Sequence, residues 1–194
     1  MSIFRWTAPL LQFAARRWSE DDFRLLADRL APFVPRGGVL ADLGGGTGDL
    51  GLGVARALGA RVVVVDPIEQ MLLRVPADPL ASVCLATAEA LPFPEDYLDG
   101  LLCCDAFHHF KDQDIAAAEM ARVVRTGGGI LILDAAPVGV YRAVAAAERL
   151  LGEPAGFRKP DDLGVLLASH GIVGEHAPAR GSGYLFVGAV RRTG

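Results

Sequence analysis

Two stretches of this chain combine residues that could do chemistry: Asp42-Leu43-Gly44-Gly45-Gly46-Thr47-Gly48, and Cys103-Cys104-Asp105-Ala106-Phe107-His108-His109. Glycines between a strand and a helix let the backbone approach a ligand closely and bring it to the helix N-terminus. Asp42, just ahead of them, is placed to attract a ligand ammonium directly or through water. Asp66 follows Gly48 by 18 residues and ends the next apolar run. A carboxylate there can accept hydrogen bonds from both hydroxyls of a ribose, a charge-assisted bidentate contact. These features indicate a nucleoside ligand without choosing one. Gly46, Gly48 and Gly51 also fit the G-x-G-x-x-G pattern of dinucleotide sites. Against that reading, a carboxylate in the place of Asp42 would repel a pyrophosphate.

The second stretch offers proton-transfer groups. Asp105, His108 and His109 are candidate general bases, and an imidazole with an ordinary pKa of ~6.5 suits activation of a phenol. The neighbouring thiols of Cys103 and Cys104 fall in an apolar run and read as buried, inert groups. No spacing of His, Cys, Asp and Glu suggests a metal site.

Alternating strands and helices must position these groups. Ser19 is a plausible N-cap for a helix over 20–33. Strands are expected at 39–43, 61–66, 81–87, 99–105 and 130–135, with helices at 49–58, 68–75 and 112–125, the last ended by the TGGG run at 126–129. RVVVVD (61–66) has no polar face, as in a strand buried on both sides of a parallel sheet. Helices over 140–151 and 160–169 follow, with Gly171 as C′ of the second. Two last strands, 172–178 and 184–190, form a hairpin across ARGSG. The fold class is α/β: a doubly wound, mostly parallel seven-stranded sheet with a C-terminal antiparallel hairpin.

Composition narrows the function classes. Of 194 residues 52% are apolar and 22% charged, which suits one domain with a full core. The net charge of −4, with no basic stretch, argues against nucleic acid as a partner. Three cysteines without a framework favour a reducing cytoplasm. No apolar run reaches the ~20 residues of a membrane-spanning helix. The apolar, Arg-broken segment 1–18 reads as a cap over the core, a substrate lid or a peripheral membrane contact.

The stretch ATAEALPFPEDYLDGLLCCDAFHHF (86–110), followed by AAAEMARVVRTGGGILILD (116–134), joins DLGGGTG and Asp66 in an ordered series. In this series the chain resembles the class I S-adenosylmethionine (AdoMet)-dependent methyltransferases, in the branch with the ubiquinone and menaquinone biosynthesis enzymes. The resemblance runs from about residue 38 to 135, more weakly through GYLFVG (183–188). It implies a Rossmann-like fold with AdoMet as cofactor. Asp42, Gly44 and Gly46 would hold the methionine portion and Asp66 the ribose. Pro67 and Met71 would flank the adenine, Thr87 and Ala88 would meet its edge, and Cys104 would face the transferring methyl. The family often has Asp in place of Thr87, so the bond to the adenine amine would be weaker or made by Glu89. Glu119 and Arg122, three apart on a helix, would form an ion pair.

The expected organisation is one domain over 1–194. It divides into a helical cap (1–35), a cofactor-binding half (36–135), and an acceptor-side insertion with closing hairpin (136–194). The expected reaction is methyl transfer to a small-molecule acceptor, phenolic, quinol-like or otherwise lipophilic, releasing S-adenosylhomocysteine (AdoHcy). The alternatives are a non-catalytic AdoMet-binding relative and an NAD(P)-dependent oxidoreductase. The acceptor atom and the oligomeric state are not legible in the sequence.

Overall fold

A computed structural model describes residues 18–139, 141, 146, 150, 154–179 and 183–192. The segment 1–17 expected as a cap or lid, and most of the helix expected at 140–151, lie outside these residues. Helix α1 (Glu20–Leu30) opens with the full capping box: the Ser19 hydroxyl accepts the Asp22 N–H, and the Asp22 carboxylate accepts the Ser19 N–H. Then follow β1 (Val39–Leu43), α2 (Asp49–Leu58), β2 (Arg61–Asp66), the single turn α3 (Glu69–Leu72) and β3 (Ala81–Leu85). Next come β4 (Leu98–Cys104), a 3₁₀ turn (Phe107–His109), α4 (Gln113–Val123), β5 (Val124–Ala135), α5 (Pro160–Ser169), β6 (Ile172–Pro178) and β7 (Gly183–Val190).

The seven strands form one sheet in the order β3-β2-β1-β4-β5-β7-β6. The first five run parallel, and β7 lies antiparallel to both β5 and β6. The mostly parallel sheet with its closing antiparallel hairpin is therefore as the sequence suggests. Because β1 lies between β2 and β4, the chain leaves it in opposite directions, and the crevice opens at the carboxyl ends of β1 and β4.

Helices cover both faces, so the core strands are apolar on both sides. Leu101, Cys103, Ile130 and Ile132 pack under α4 and α5 with Met120, Leu163 and Phe186. Leu102, Leu131 and Leu133 face the other way, with Leu26, Leu30 and Val54 of α1 and α2. Period-two alternation thus splits each strand between two cores. Among the described residues no helix is long and apolar enough to cross a membrane, and no group of His, Cys, Asp and Glu could hold a metal ion.

Two elements differ from the sequence expectation. Helix α3 ends at Leu72 and continues only as turns to Val75, because the prolines at 76 and 79 leave it too little length. The TGGG run is not a turn ahead of a strand: it lies inside β5, which begins at Val124. There the pairing shifts from Leu98↔Val124 to Gly100↔Gly129, a bulge that absorbs the extra residues. A Cβ on Gly129 would lie 2.6 Å from that of Phe33, so glycine is required by packing.

The ion pair expected on α4 also fastens the Leu91-Pro92-Phe93 loop. Arg122 bonds both carboxylate oxygens of Glu119 and donates to the carbonyls of Leu91 and Phe93, while Glu119 accepts the Leu91 N–H. The partners hold the Glu119 carboxyl below its ordinary range. Arg122→Lys keeps the charge but loses the planar fork. It should lower stability by about 1–2 kcal/mol in urea unfolding, the worth of the charge-assisted bonds lost. Unchanged stability would mean the loop is held without the guanidinium.

Candidate active site

The glycine loop is built around two buried carboxylates. Asp42, 2% exposed, sits on β1, and its Oδ2 accepts the N–H of Gly51 in the first turn of α2 at 3.0 Å. No side chain fits at Gly51, since a Cβ there would overlap the Asp42 carboxylate. Gly44 has φ +72°, and a Cβ on it would lie 2.5 Å from that of Ala106, after β4. The loop is therefore drawn in on both sides. Its first N–H groups, Gly44 and Gly45, donate to Val65 O.

Asp66, 7% exposed, ends β2. Its two oxygens accept the N–H of Gly46 at 3.0 Å and of Ile68 at 2.8 Å. Each oxygen keeps a further lone pair for a ligand hydroxyl. Burial raises the pKa of both carboxyls. Asp42 is pushed up to about 7, opposed by the Gly51 N–H and reinforced by the charge of Asp66. Asp66 moves in the same direction, opposed by its two N–H donors. Two acids short of compensating charge form a site that favours a cationic ligand and disfavours a pyrophosphate.

Beyond Asp66, Pro67, Ile68, Glu69, Gln70 and Leu85 line a cavity of about 250 Å³. Met71 is buried in the core and is not among the cavity's lining residues. Ile68 and Leu85 are wall residues that sequence reasoning missed; nothing marks them before β2 and β3 are placed side by side. Thr87 is exposed and its hydroxyl donates to Glu89, while Ala88 is buried. Glu89 itself accepts the N–H groups of Lys111 and Asp112, so it pins the start of α4.

Cys104 ends β4, half-buried, and Asp105 follows it with φ +48°, its N–H donating to Leu133 O. A non-glycine residue in that region is strained, and such strain gathers at functional sites. The 3₁₀ turn then presents the two histidines. His108 is 6% exposed, and its Nδ1 lies 2.7 Å from Oδ1 of Asp134, at the end of β5. Oδ2 of Asp134 accepts the His108 backbone N–H, and Oδ1 also accepts that of Ala135. Sequence reasoning missed Asp134 as a site residue, although the strand ILILD ends on it.

The His108 ring stacks on Phe157 at 4.0 Å and lies beside His109, also at 4.0 Å. His109 Nδ1 reaches Pro154 O at 3.3 Å. Gln113 fastens the same segment, donating to Phe107 O and Gly156 O, while Gly156 N–H donates to His108 O. A wider cleft of about 530 Å³ lies against this segment, between Lys111, Asp114 and Arg158, and includes no residue of the glycine loop.

Residues 41–132 match the family model of a methyltransferase domain. The chain is 35% identical over 108 residues to a ubiquinone/menaquinone biosynthesis C-methyltransferase of Cupriavidus necator, covering 52% of this chain and 44% of that protein. These matches support a class I AdoMet-dependent methyltransferase. A homologue of the same name from Marinomonas is 34% identical over 110 residues, with the same coverage. The chain spans less than half the length of the curated relatives it matches. Its fold is that of a geranyl diphosphate methyltransferase solved with AdoMet, at a TM-score of 0.75, 14% identity and coverage of 89% of this chain and 85% of that one. It is likewise that of an AdoMet-dependent methyltransferase from Thermotoga maritima, at 0.74, 19% identity and coverage of 97% and 98%.

The residues present fit AdoMet. The ligand carries an ammonium and a sulfonium for the acidic pocket, a ribose diol for Asp66, and a flat base for the cavity beside Pro67.

The raised Asp42 pKa has two measurable consequences. Unfolded, Asp42 ionises as an ordinary carboxylate; folded and ligand-free, it holds its proton to about pH 7. Its contribution to stability is thus present below about pH 4 and lost as the pH rises towards 7. Asp42→Asn should raise the ligand-free melting temperature by several degrees at about pH 8 and change it little at about pH 4. AdoMet binding to the wild type should tighten roughly five- to tenfold between about pH 6 and 7.5, as Asp42 ionises to meet the ammonium. In Asp42→Asn that rise should vanish. A flat wild-type profile in calorimetry would remove Asp42 from the ammonium site.

Proposed function

We propose that this protein transfers the methyl group of AdoMet to a small-molecule acceptor and releases AdoHcy. The observation that carries the reading is the pair of buried carboxylates, Asp42 and Asp66, fastened to the backbone of one glycine loop. Asp42 attracts the ammonium, Gly44 and Gly46 give the methionine portion close backbone approach, and Asp66 receives the ribose hydroxyls. Pro67, Ile68 and Leu85 enclose the adenine, and Thr87 and Ala88 meet its edge. Cys104 borders the methyl.

AdoMet supplies an already activated methyl when bound, so the protein's task is alignment and exclusion of water. The acceptor enters at the carboxyl end of β4, where Asp105, His108 and His109 offer proton-accepting groups. Phe157, with Tyr141 centred 6.0 Å from it, gives that side an aromatic wall. A phenolic or quinol-like acceptor suits the wall, in keeping with relatives named for quinone biosynthesis.

Calorimetric titration with AdoMet, AdoHcy and NADH tests the reading. Micromolar binding of both adenosyl ligands, with none of NADH, is the expected outcome. NADH binding without AdoMet binding would replace the reading with an oxidoreductase. Asp66→Ala should weaken AdoMet by at least about 1.5–3 kcal/mol, the worth of charge-assisted hydrogen bonds. Unchanged affinity would remove Asp66 from the ribose.

A further inference from the structure

The geometry points to Asp134 as the positioning residue of a His108 general base, and to an aromatic hydroxyl as the group that this base deprotonates for methylation. The inference deepens the methyl-transfer reading and rests on it.

Three N–H groups converge on Asp134: the backbone N–H of His108 at 3.0 Å, that of Ala135 at 2.7 Å, and the His108 ring at 2.7 Å. As a carboxylate Asp134 can only accept, so Nδ1 of a neutral His108 carries the proton and Nε2 carries the lone pair. Beside this pair lie His109, Tyr184 and Cys103, with the charges of Asp42, Asp105, Arg158 and Asp162 acting on the last two. Tyr184 stands opposite Asp134 in the β5–β7 pairing, and burial keeps its hydroxyl neutral. Cys103 is buried, and its thiol is held protonated in the same way. Neither supplies a competing charge.

The imidazole is fixed in the ring plane by Asp134 and across it by Phe157, stacked at 14°. No described residue hydrogen-bonds Nε2, although the side chain is only 8% exposed. A buried acceptor atom without a partner calls for one from a ligand. Both residues stand at the carboxyl ends of neighbouring strands, β4 and β5. Ala106, two residues before His108, touches the glycine loop at Gly44. The stretch that carries the ring thus runs from the glycine loop at Ala106 to the 154–158 segment, which lays Phe157 over the imidazole.

The acceptor O–H gives its proton to His108 Nε2. The oxygen pair forms the new bond to the methyl carbon as the carbon–sulfur bond breaks, and that bond's electrons go to sulfur, leaving neutral AdoHcy. His108 becomes an imidazolium paired with Asp134, then returns its proton to water as product leaves. No oxidant, reductant or metal is needed. Aromatic hydroxyls are favoured over aliphatic ones because an imidazole comes close to matching them in basicity, and because Phe157 and Tyr141 wall the same side.

Two measurements test this on the intact protein. Nitrogen-15 NMR of the histidine rings, with His108→Gln for assignment, should show His108 as the Nδ1–H tautomer; Asp134→Asn should abolish that tautomer. The second probe is 4-nitrophenol, whose phenolate is yellow, added to protein saturated with AdoHcy. The wild type should bind it as phenolate at a pH where free nitrophenol is mostly neutral. His108→Gln and Asp134→Asn should bind AdoHcy as the wild type does, yet hold nitrophenol neutral or at least tenfold more weakly. An Nε2–H tautomer in the wild type, an unchanged tautomer in Asp134→Asn, or nitrophenol that stays unbound or neutral on the wild type would each overturn the proposal. The wild-type results stand even if a variant fails to fold. Failure of AdoHcy itself to bind would strike the methyl-transfer reading, and the tautomer measurement, made without ligand, separates the two.

Discussion

The site depends on one costly arrangement: a carboxylate, Asp42, buried at the end of a central strand and fastened to the helix that follows. Burying an unpaired carboxylate is unfavourable, and the folded protein offsets this only in part, with a single backbone N–H from Gly51. The response is visible in the raised pKa of the carboxyl. What remains uncompensated is an attraction for a cation, and the fold aims it at the crevice where β1 and β4 diverge. The glycines follow from the same constraint. Helix α2 reaches the carboxylate because position 51 has no side chain, and the loop reaches Ala106 because position 44 has none.

Asp66 extends the arrangement sideways. By holding Gly46 and Ile68 it joins the glycine loop to the start of the cavity beside Pro67, so the two turns keep one relative position. Its charge adds to the upward pressure on the Asp42 pKa. Two acids this close suit a ligand with an ammonium and a sulfonium, and the same field would oppose the phosphates that other glycine loops of similar pattern accept.

The acceptor side is ordered from a different residue. Asp134 ends β5 beside the turn that follows β4, and it ties that turn to the sheet through both the backbone and the ring of His108. Gln113 then connects the turn to the segment 154–158 by accepting from Arg158 and donating to two carbonyls. The glycine loop thus connects to His108 through the contact of Gly44 with Ala106, in the short stretch of chain after β4.

The sequence by itself determined much of this. Strand alternation, glycine placement and the prolines gave seven strands in a doubly wound order, and the spacing of Asp42, the glycines and Asp66 was enough to indicate a nucleoside. Those features are legible because they are local: a run of valines, a strand-end acid and a loop that tolerates no side chain are written in consecutive residues. The TGGG run shows the limit, since glycines also end helices locally, and only pairing with β4, far away in sequence, makes the run part of a strand. Glu89 likewise looked available for a ligand until the start of α4 was seen to occupy it. The pairing of His108 with Asp134, the stacking of Phe157 and the use of Ile68 and Leu85 as cavity wall were decided by tertiary structure alone. Each joins residues from separate elements, and their meeting depends on which strands neighbour one another and in what register, which no single stretch of sequence encodes.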